Sequence, residues 1–290
     1  MKKFYLLFII LFLAAFSLLA QDDYKKGDAA FKNGQYEQAL NFFQSALSTY
    51  TSSKNQAGMA DANNSMGLVL QVLNQHDKAV GNFQTAASLY VVTKNKSGAA
   101  SAFANWGISA FRVKEAKLKK VGQSWDDSSI GEILAFHLKA KQLHDESKDK
   151  AGAGDDLNNI ATMYFEAEIY DHAADYLNQA LKIHQELGAK GGIATDLANL
   201  GRLYYKTGND KDALKFYEKS SGMFDELGDR ENAWKAYSFC AVLYETSARQ
   251  NDILNQTDLA AKDEGNWTLE VNKKLLPKEG SPVKLIIQAL

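Results

Sequence analysis

One spacing limits this chain more than any other feature: the stretch LNNIATMYFEAEIYDHAADYLNQA from Leu157 is answered 40 residues later by LANLGRLYYKTGNDKDALKFYEKS from Leu197. Self-similarity at a fixed period of about 20–50 residues is the mark of stacked repeat units. Followed outward, the register pairs a small residue with an alanine twelve positions on: Gly27 with Ala39, Gly67 with Ala79, Ala161 with Ala173, Gly201 with Ala213. Four residues beyond each alanine come Phe43, Phe83, Leu177 and Tyr217, and three further Ala46, Ala86, Ala180 and Ser220. Spacings of four and three share one helical face. Each unit therefore reads as two helices, with small residues allowing close approach and a large one filling the space beside them. Both prolines, Pro277 and Pro282, lie near the end of the chain, so the body is free of the strongest helix breaker.

The third unit breaks register. Gly107 is followed not by a small residue near position 119 but by Ile133, His137 and Ala140 in the second-helix roles, which leaves 14 extra residues within Val113–Asp127. Two readings stay open for them: a helix extension or surface loop, since insertions in connections cost little, or a partner-contacting projection carrying Trp125 beside Lys114, Lys117, Lys119 and Lys120. Beyond Tyr244 the register fades. A shortened last helix is expected at Asp252–Lys262 as a cap, and the tail 263–290 alternates weakly at Trp267, Leu269 and Val271 and at Val283, Leu285 and Ile287, as short strands would.

Leu197-x-x-Leu200-Gly201-x-x-Tyr204, with Gly208, Ala213 and Tyr217, resembles the tetratricopeptide repeat motif. The resemblance covers about residues 22–250 and recurs five or six times. It departs in having a 40-residue period and no terminal proline, and is similar in this to the kinesin light chain and Rap-type branches. It implies an all-α, right-handed α-solenoid of stacked helix-turn-helix repeats over residues 21–262, because a single helical pair cannot bury its apolar face alone.

The N-terminus is a separate object. Lys2 and Lys3, an apolar and small-residue run from Phe4 to Ala20 and then Gln21-Asp22-Asp23 have the layout of a secretory signal peptide over 1–20. Export, to the periplasm or outside a Gram-negative bacterium, is the expectation. The run is 17 residues, at the lower limit for crossing a bilayer, so an uncleaved anchor is the alternative and the one route to membrane contact. Cys240 is the single cysteine, so no intramolecular disulfide can form.

Function is narrowed first by exclusion. A formal charge of −2, with no long run of one sign, gives no basic footprint for nucleic acid. No Gly-x-Ser-x-Gly, phosphate-binding glycine loop or nucleotide fingerprint is present. The carboxylate pairs Asp22-Asp23, Asp126-Asp127 and Asp155-Asp156 read as helix caps. His144 and His184 share a column with Tyr50, Tyr90 and Phe224, an aromatic packing slot. His76, His137 and His172 show no zinc-type spacing. No catalytic residue, metal or cofactor is assigned.

What the resemblance implies is a binding surface for a protein or extended peptide. In the family, first helices line the concave wall, and an asparagine two residues before the small residue faces the groove. Asn105, Asn159 and Asn199 stand in that place, and an amide offers both donor and acceptor to a peptide main chain. The competing reading has them bonding locally between helices. Neighbouring groove positions are Arg112, Asn158, Glu166, Arg202 and Lys206. The favoured function is an exported, non-enzymatic interaction scaffold. The alternative is the sensory or regulatory segment of a bacterial envelope signalling system.

Overall fold

The computed structural model describes residues 20–259, with side chains described to residue 247. Among these residues every element is an α-helix. First helices of the repeats are α1 (20–32), α3 (Gln56–Val72), α5 (Lys96–Val121), α7 (Lys150–Glu166), α9 (Lys190–Lys206) and α11 (Arg230–Leu259). Second helices are α2 (Tyr36–Ser52), α4 (His76–Val92), α6 (Asp127–Ser147), α8 (Tyr170–Leu187) and α10 (Asp210–Glu226). The described residues divide into two compact units, one up to Ala167 and the other from Glu168 onward. Within each, consecutive helices pack on one another, and in the first unit α3 also meets α5, and α5 meets α7. This is the helix-on-next-helix packing of a repeat fold.

Small residues set the helix spacing. An added Cβ on Gly27 would lie 2.7 Å from the Phe43 ring, on Gly67 2.6 Å from Phe83, and on Gly107 2.7 Å from His137. A second column works between successive repeats, where an added Cβ on Gly58, Gly98 and Gly152 would meet Tyr50, Tyr90 and His144 at 2.5–2.7 Å. Core side chains are accordingly mixed small and large. Ala39, Ala79, Phe83, Ala140, Ala173 and Ala213 are all fully buried.

Short turns close each pair, and one residue in each takes a left-handed backbone: Gly34, Lys54, Asn74, Lys94, Lys148, Glu168, Gly188, Gly208 and Gly228. Helix starts are capped by side chains that accept backbone N–H bonds, Asn55 from Gly58, Asn95 from Gly98, Asp126 from Ser129, Asp149 from Gly152 and Asn209 from Asp212. Asp126 thus caps α6 as expected, but Asp155 and Asp156 do not cap α7. That helix starts at Lys150, with Asp149 as its cap, and the pair sits a turn further in.

The register break resolves into lengthened helices. α5 runs 26 residues to Val121, ends on left-handed Gly122, and α6 starts at Asp127. Trp125 does not stand out as an exposed contact. It is half-buried and stacks on Phe111 with ring centroids 4.4 Å apart and planes 7° apart. The lysines beside it are partly neutralised, Lys114 by Glu132 at 3.2 Å and Lys119 by Glu115 at 2.7 Å.

At the other end, α11 continues without a turn to Leu259, so no separate helix begins at Asp252. The physical reason is in the chain: no glycine or proline lies between Gly228 and Gly265 to break the helix. The signal segment 1–19 and the tail 260–290 with its strand-like alternation lie outside the described residues. Ala20 does belong to α1, where it packs with Ala46, Tyr50 and Ala62.

Candidate functional site

The expected groove residues sit on first helices in both units, and they behave differently. In the first unit, Asn105 and Asn159 are half-buried on α5 and α7. Gln71 of α3 donates to the Asn105 carbonyl at 3.0 Å and to the Ser109 hydroxyl at 2.8 Å, which ties neighbouring first helices together. Arg112 pairs with Glu115 at 3.1 Å and with Glu166 of α7 at 3.7 Å. Two of the expected groove charges therefore meet each other. Asn158 is buried at 9% exposure, so it offers little surface to a ligand. The reason is its register: it shares a column with Ala104 and Ala198, one step from the outward position.

In the second unit, Asn199 and Arg202 of α9 line a pocket of about 220 Å³. Thr195 and Ala198 complete the α9 side, Tyr217 and Phe224 of α10 form the base, and α11 contributes Asn232, Lys235, Ala236 and Phe239. Phe239 stacks on Tyr217 with centroids 4.9 Å apart and planes 7° apart. The Tyr217 hydroxyl is buried and has no hydrogen-bond partner among the described residues. Burial raises its pKa against the pull of Arg202, so it remains a neutral donor. Lys206, on the last turn of α9, is exposed and does not line the pocket. Lys235, Asn232 and Phe239 were not singled out in the sequence. The signal that could have found them is the register itself, since Phe239 lies 40 residues after Asn199.

The histidine column holds more than packing. His144 Nδ1 lies 2.7 Å from Asp156, and His184 Nδ1 2.6 Å from Asp196, all four side chains being buried. Each histidine thus has a carboxylate partner twelve residues on, which the reading as an aromatic slot missed. His137, buried beneath Gly107, has its pKa pushed down by burial to about 4 and stays neutral. Burial pushes the Cys240 thiol up to about 12, aided by Glu218, which leaves it an inert core group. Among the described residues no group of three His, Cys, Asp or Glu side chains could hold a metal ion, and no helix is long and apolar enough to cross a membrane.

A pocket this size is below the roughly 300–1,000 Å³ typical of small-molecule sites, and its walls hold no nucleophile–base pair. What the fold defines is a helical-repeat scaffold of the tetratricopeptide type. Tetratricopeptide repeat models match residues 156–226 and 24–51. No curated protein sequence matches the chain. Among solved structures, aspartyl phosphate phosphatase F from Bacillus subtilis is similar at TM-score 0.67 and 16% identity, over 86% of this chain and 63% of that one. The chain thus spans less than two thirds of that protein. The apo form of RapI is similar at TM-score 0.62 and 15% identity, over 81% of this chain and 85% of that one. The Rap conjugation gene regulator of plasmid pLS20, solved in complex with the Phr* peptide, is similar at TM-score 0.57 and 17% identity, over 92% and 74%. At these identities the likeness speaks for the fold.

Proposed function

We propose that this protein is an exported, non-enzymatic scaffold whose first-helix faces bind a protein or peptide partner. The observation that carries the reading is the pocket between α9 and α11, where Asn199 and Arg202, both expected from the repeat register, come together over an aromatic base. An amide and a guanidinium beside apolar surface suit a peptide: the first serves its main chain and the second its charge. The peptide-bound Rap regulator is a precedent for that use of the fold. Affinity capture from a bacterial envelope extract, followed by photocrosslinking from position 199, tests it. Crosslinks to one protein partner support the reading, and crosslinks that follow total protein abundance reject it.

Export rests on the residues 1–20 alone. Cleavage between Ala20 and Gln21 removes a methyl group that packs on Ala46, Tyr50 and Ala62, a small loss because alanine contributes little area. N-terminal sequencing of envelope material should begin at Gln21, and an intact Met1 chain in the membrane fraction would favour the anchor. The second reading, a sensory or regulatory segment of an envelope signalling system, draws support from the Rap-type fold and predicts partner capture that depends on a stimulus.

A further inference from the structure

We infer that the face of α11 carrying Trp234 and Val242 is the docking site of the chain's own segment Trp267–Leu276, which caps the last repeat in place of a second helix. The inference goes beyond the partner-binding reading and does not depend on the pocket between α9 and α11.

Three observations converge. First, the register puts Trp234 where every earlier repeat has a small residue. Ala20, Ala60, Ala100, Gly154 and Ala194 hold that position, seven residues before Gly27, Gly67, Gly107, Ala161 and Gly201, and all five are buried. In the fifth repeat the second helix comes so close there that the Ser220 hydroxyl of α10 donates to the Ala194 carbonyl at 2.9 Å. An indole has no room in such a contact, and Trp234 is 61% exposed. Val242, about 80° round the helix from it at 3.6 residues per turn, is 43% exposed. Second, α11 runs to Leu259 without a turn, so Thr257, forty residues after Tyr217, continues the same helix and cannot fold back over it. Among the described residues no second helix follows α11.

Third, the chain beyond Leu259 supplies an apolar segment of sufficient reach. Trp267, Leu269, Val271, Leu275 and Leu276 come before Pro277, and the first three alternate, so an extended run turns them to one side. At 1.5 Å per residue, Val242 and Trp234 lie about 26 Å and about 38 Å back along α11 from Leu259. The chain from Leu259 to Leu276 spans up to about 56 Å at 3.3 Å per residue, which leaves slack for a reversal at Gly265. A second copy fits the face less well. A stable interface takes about 800 Å² from each partner, and Trp234 with Val242 offers a fraction of that, since a whole aromatic side chain buries about 150–250 Å². A tethered segment needs less area, because its effective concentration is of about millimolar order.

The test uses the full chain with a photocrosslinking amino acid at Ser238, which lies between Trp234 and Val242 on the same face. Mass spectrometry should place the crosslink within residues 267–276 of the same molecule, at a yield independent of protein concentration. Changing Trp267→Ser, Leu269→Ser and Val271→Ser together should abolish that crosslink. In the same variant the amides of residues 234–245 should exchange about tenfold faster, a factor that corresponds to about 1.4 kcal/mol of lost docking. Fluorotryptophan NMR keeps the result readable if the crosslinker disturbs the face: a soluble paramagnetic probe should broaden the Trp234 signal more in the serine variant than in the wild type, while the Trp106 and Trp125 signals stay unchanged. Crosslinks between two molecules that rise with concentration assign the face to a second copy, and crosslinks to another protein assign it to a partner. No crosslink, or a Trp234 signal and amide exchange unmoved by the serine variant, leaves the face in solvent. Each of these outcomes overturns the inference.

Discussion

The column that runs through the ends of the second helices holds Tyr50, Tyr90, His144, His184 and Phe224, and the residue twelve positions after each is Ala62, Ala102, Asp156, Asp196 and Ala236. The aromatics are thus followed by alanine and the histidines by aspartate. Tyr50 packs in one cluster with Ala62 and Tyr90 in one with Ala102, while His144 and His184 hydrogen-bond their aspartates. Asp156→Ala alone leaves a buried imidazole without its partner and should cost about 2–4 kcal/mol in urea unfolding. Adding His144→Tyr converts the site to the Tyr90–Ala102 solution and should return stability to within about 1 kcal/mol, since a buried polar pair is often replaceable by packed apolar groups. A double variant as unstable as the single one would show that the pair is not exchangeable. The pH dependence follows from Asp156, whose carboxyl burial pushes up to about 6 against the pull of His144. A native pKa above the unfolded value means that the folded state binds the extra proton. The stabilisation is complete below about pH 4 and is lost as pH rises through 6. Wild-type stability relative to the double variant should therefore fall across that window, and a rise would mean that attraction to His144 outweighs burial.

Turns and helix contacts place opposite demands on glycine. A left-handed backbone recurs once in every turn, with glycine at Gly188, Gly208 and Gly228 but lysine at Lys54, Lys94 and Lys148. A side chain in that conformation costs about 1–2 kcal/mol, partly offset because glycine has more freedom to lose on folding. Lys94→Gly should stabilise the first unit by about 0.5–1 kcal/mol and Gly188→Ala should destabilise the second by a similar amount, both read as shifts in urea midpoint at unchanged slope. Gly67→Ala acts through contact instead. The new methyl meets the fully buried Phe83 ring at 2.6–2.8 Å, and the overpacking should cost about 1–3 kcal/mol. If Gly67→Ala is neutral, α3 and α4 can move apart and the small-residue column does not set their spacing.

For the molecule as a whole, binding and folding should be separable. Asn159 and Asn199 are half-buried, while Leu157, Ile160, Leu197 and Leu200 beside them are buried and carry the packing. Asn159→Ala with Asn199→Ala should weaken partner capture tenfold or more, at about 1.4 kcal/mol per decade, with little change in thermal unfolding. Gly201→Leu is the opposite case, because an added Cβ there would lie 3.0 Å from the Tyr217 ring and the fold itself should weaken. Lost stability with unchanged binding in the asparagine variant would make those residues struts between helices.

Helical class, the pairing of helices and most core positions follow from the 40-residue register, because a residue's face on a helix is fixed by spacing alone. Gly27 and Phe43 are an example: they are legible as small and large partners before any contact is seen. Other features needed the three-dimensional arrangement. Whether Trp125 stands free or lies on Phe111 depends on where α5 ends, and that is set by left-handed Gly122. That Asp156 meets His144 instead of capping a helix depends on α7 starting six residues earlier, at Lys150. The candidate site shows the same division. The register placed Asn199 and Arg202 on a first helix, but it could not show that Lys235 and Phe239 close a pocket over them or that the Tyr217 hydroxyl is left without a partner among the described residues. Periodicity fixes which way each residue faces along its own helix, whereas a site is made where separate helices meet, at distances that only packing decides.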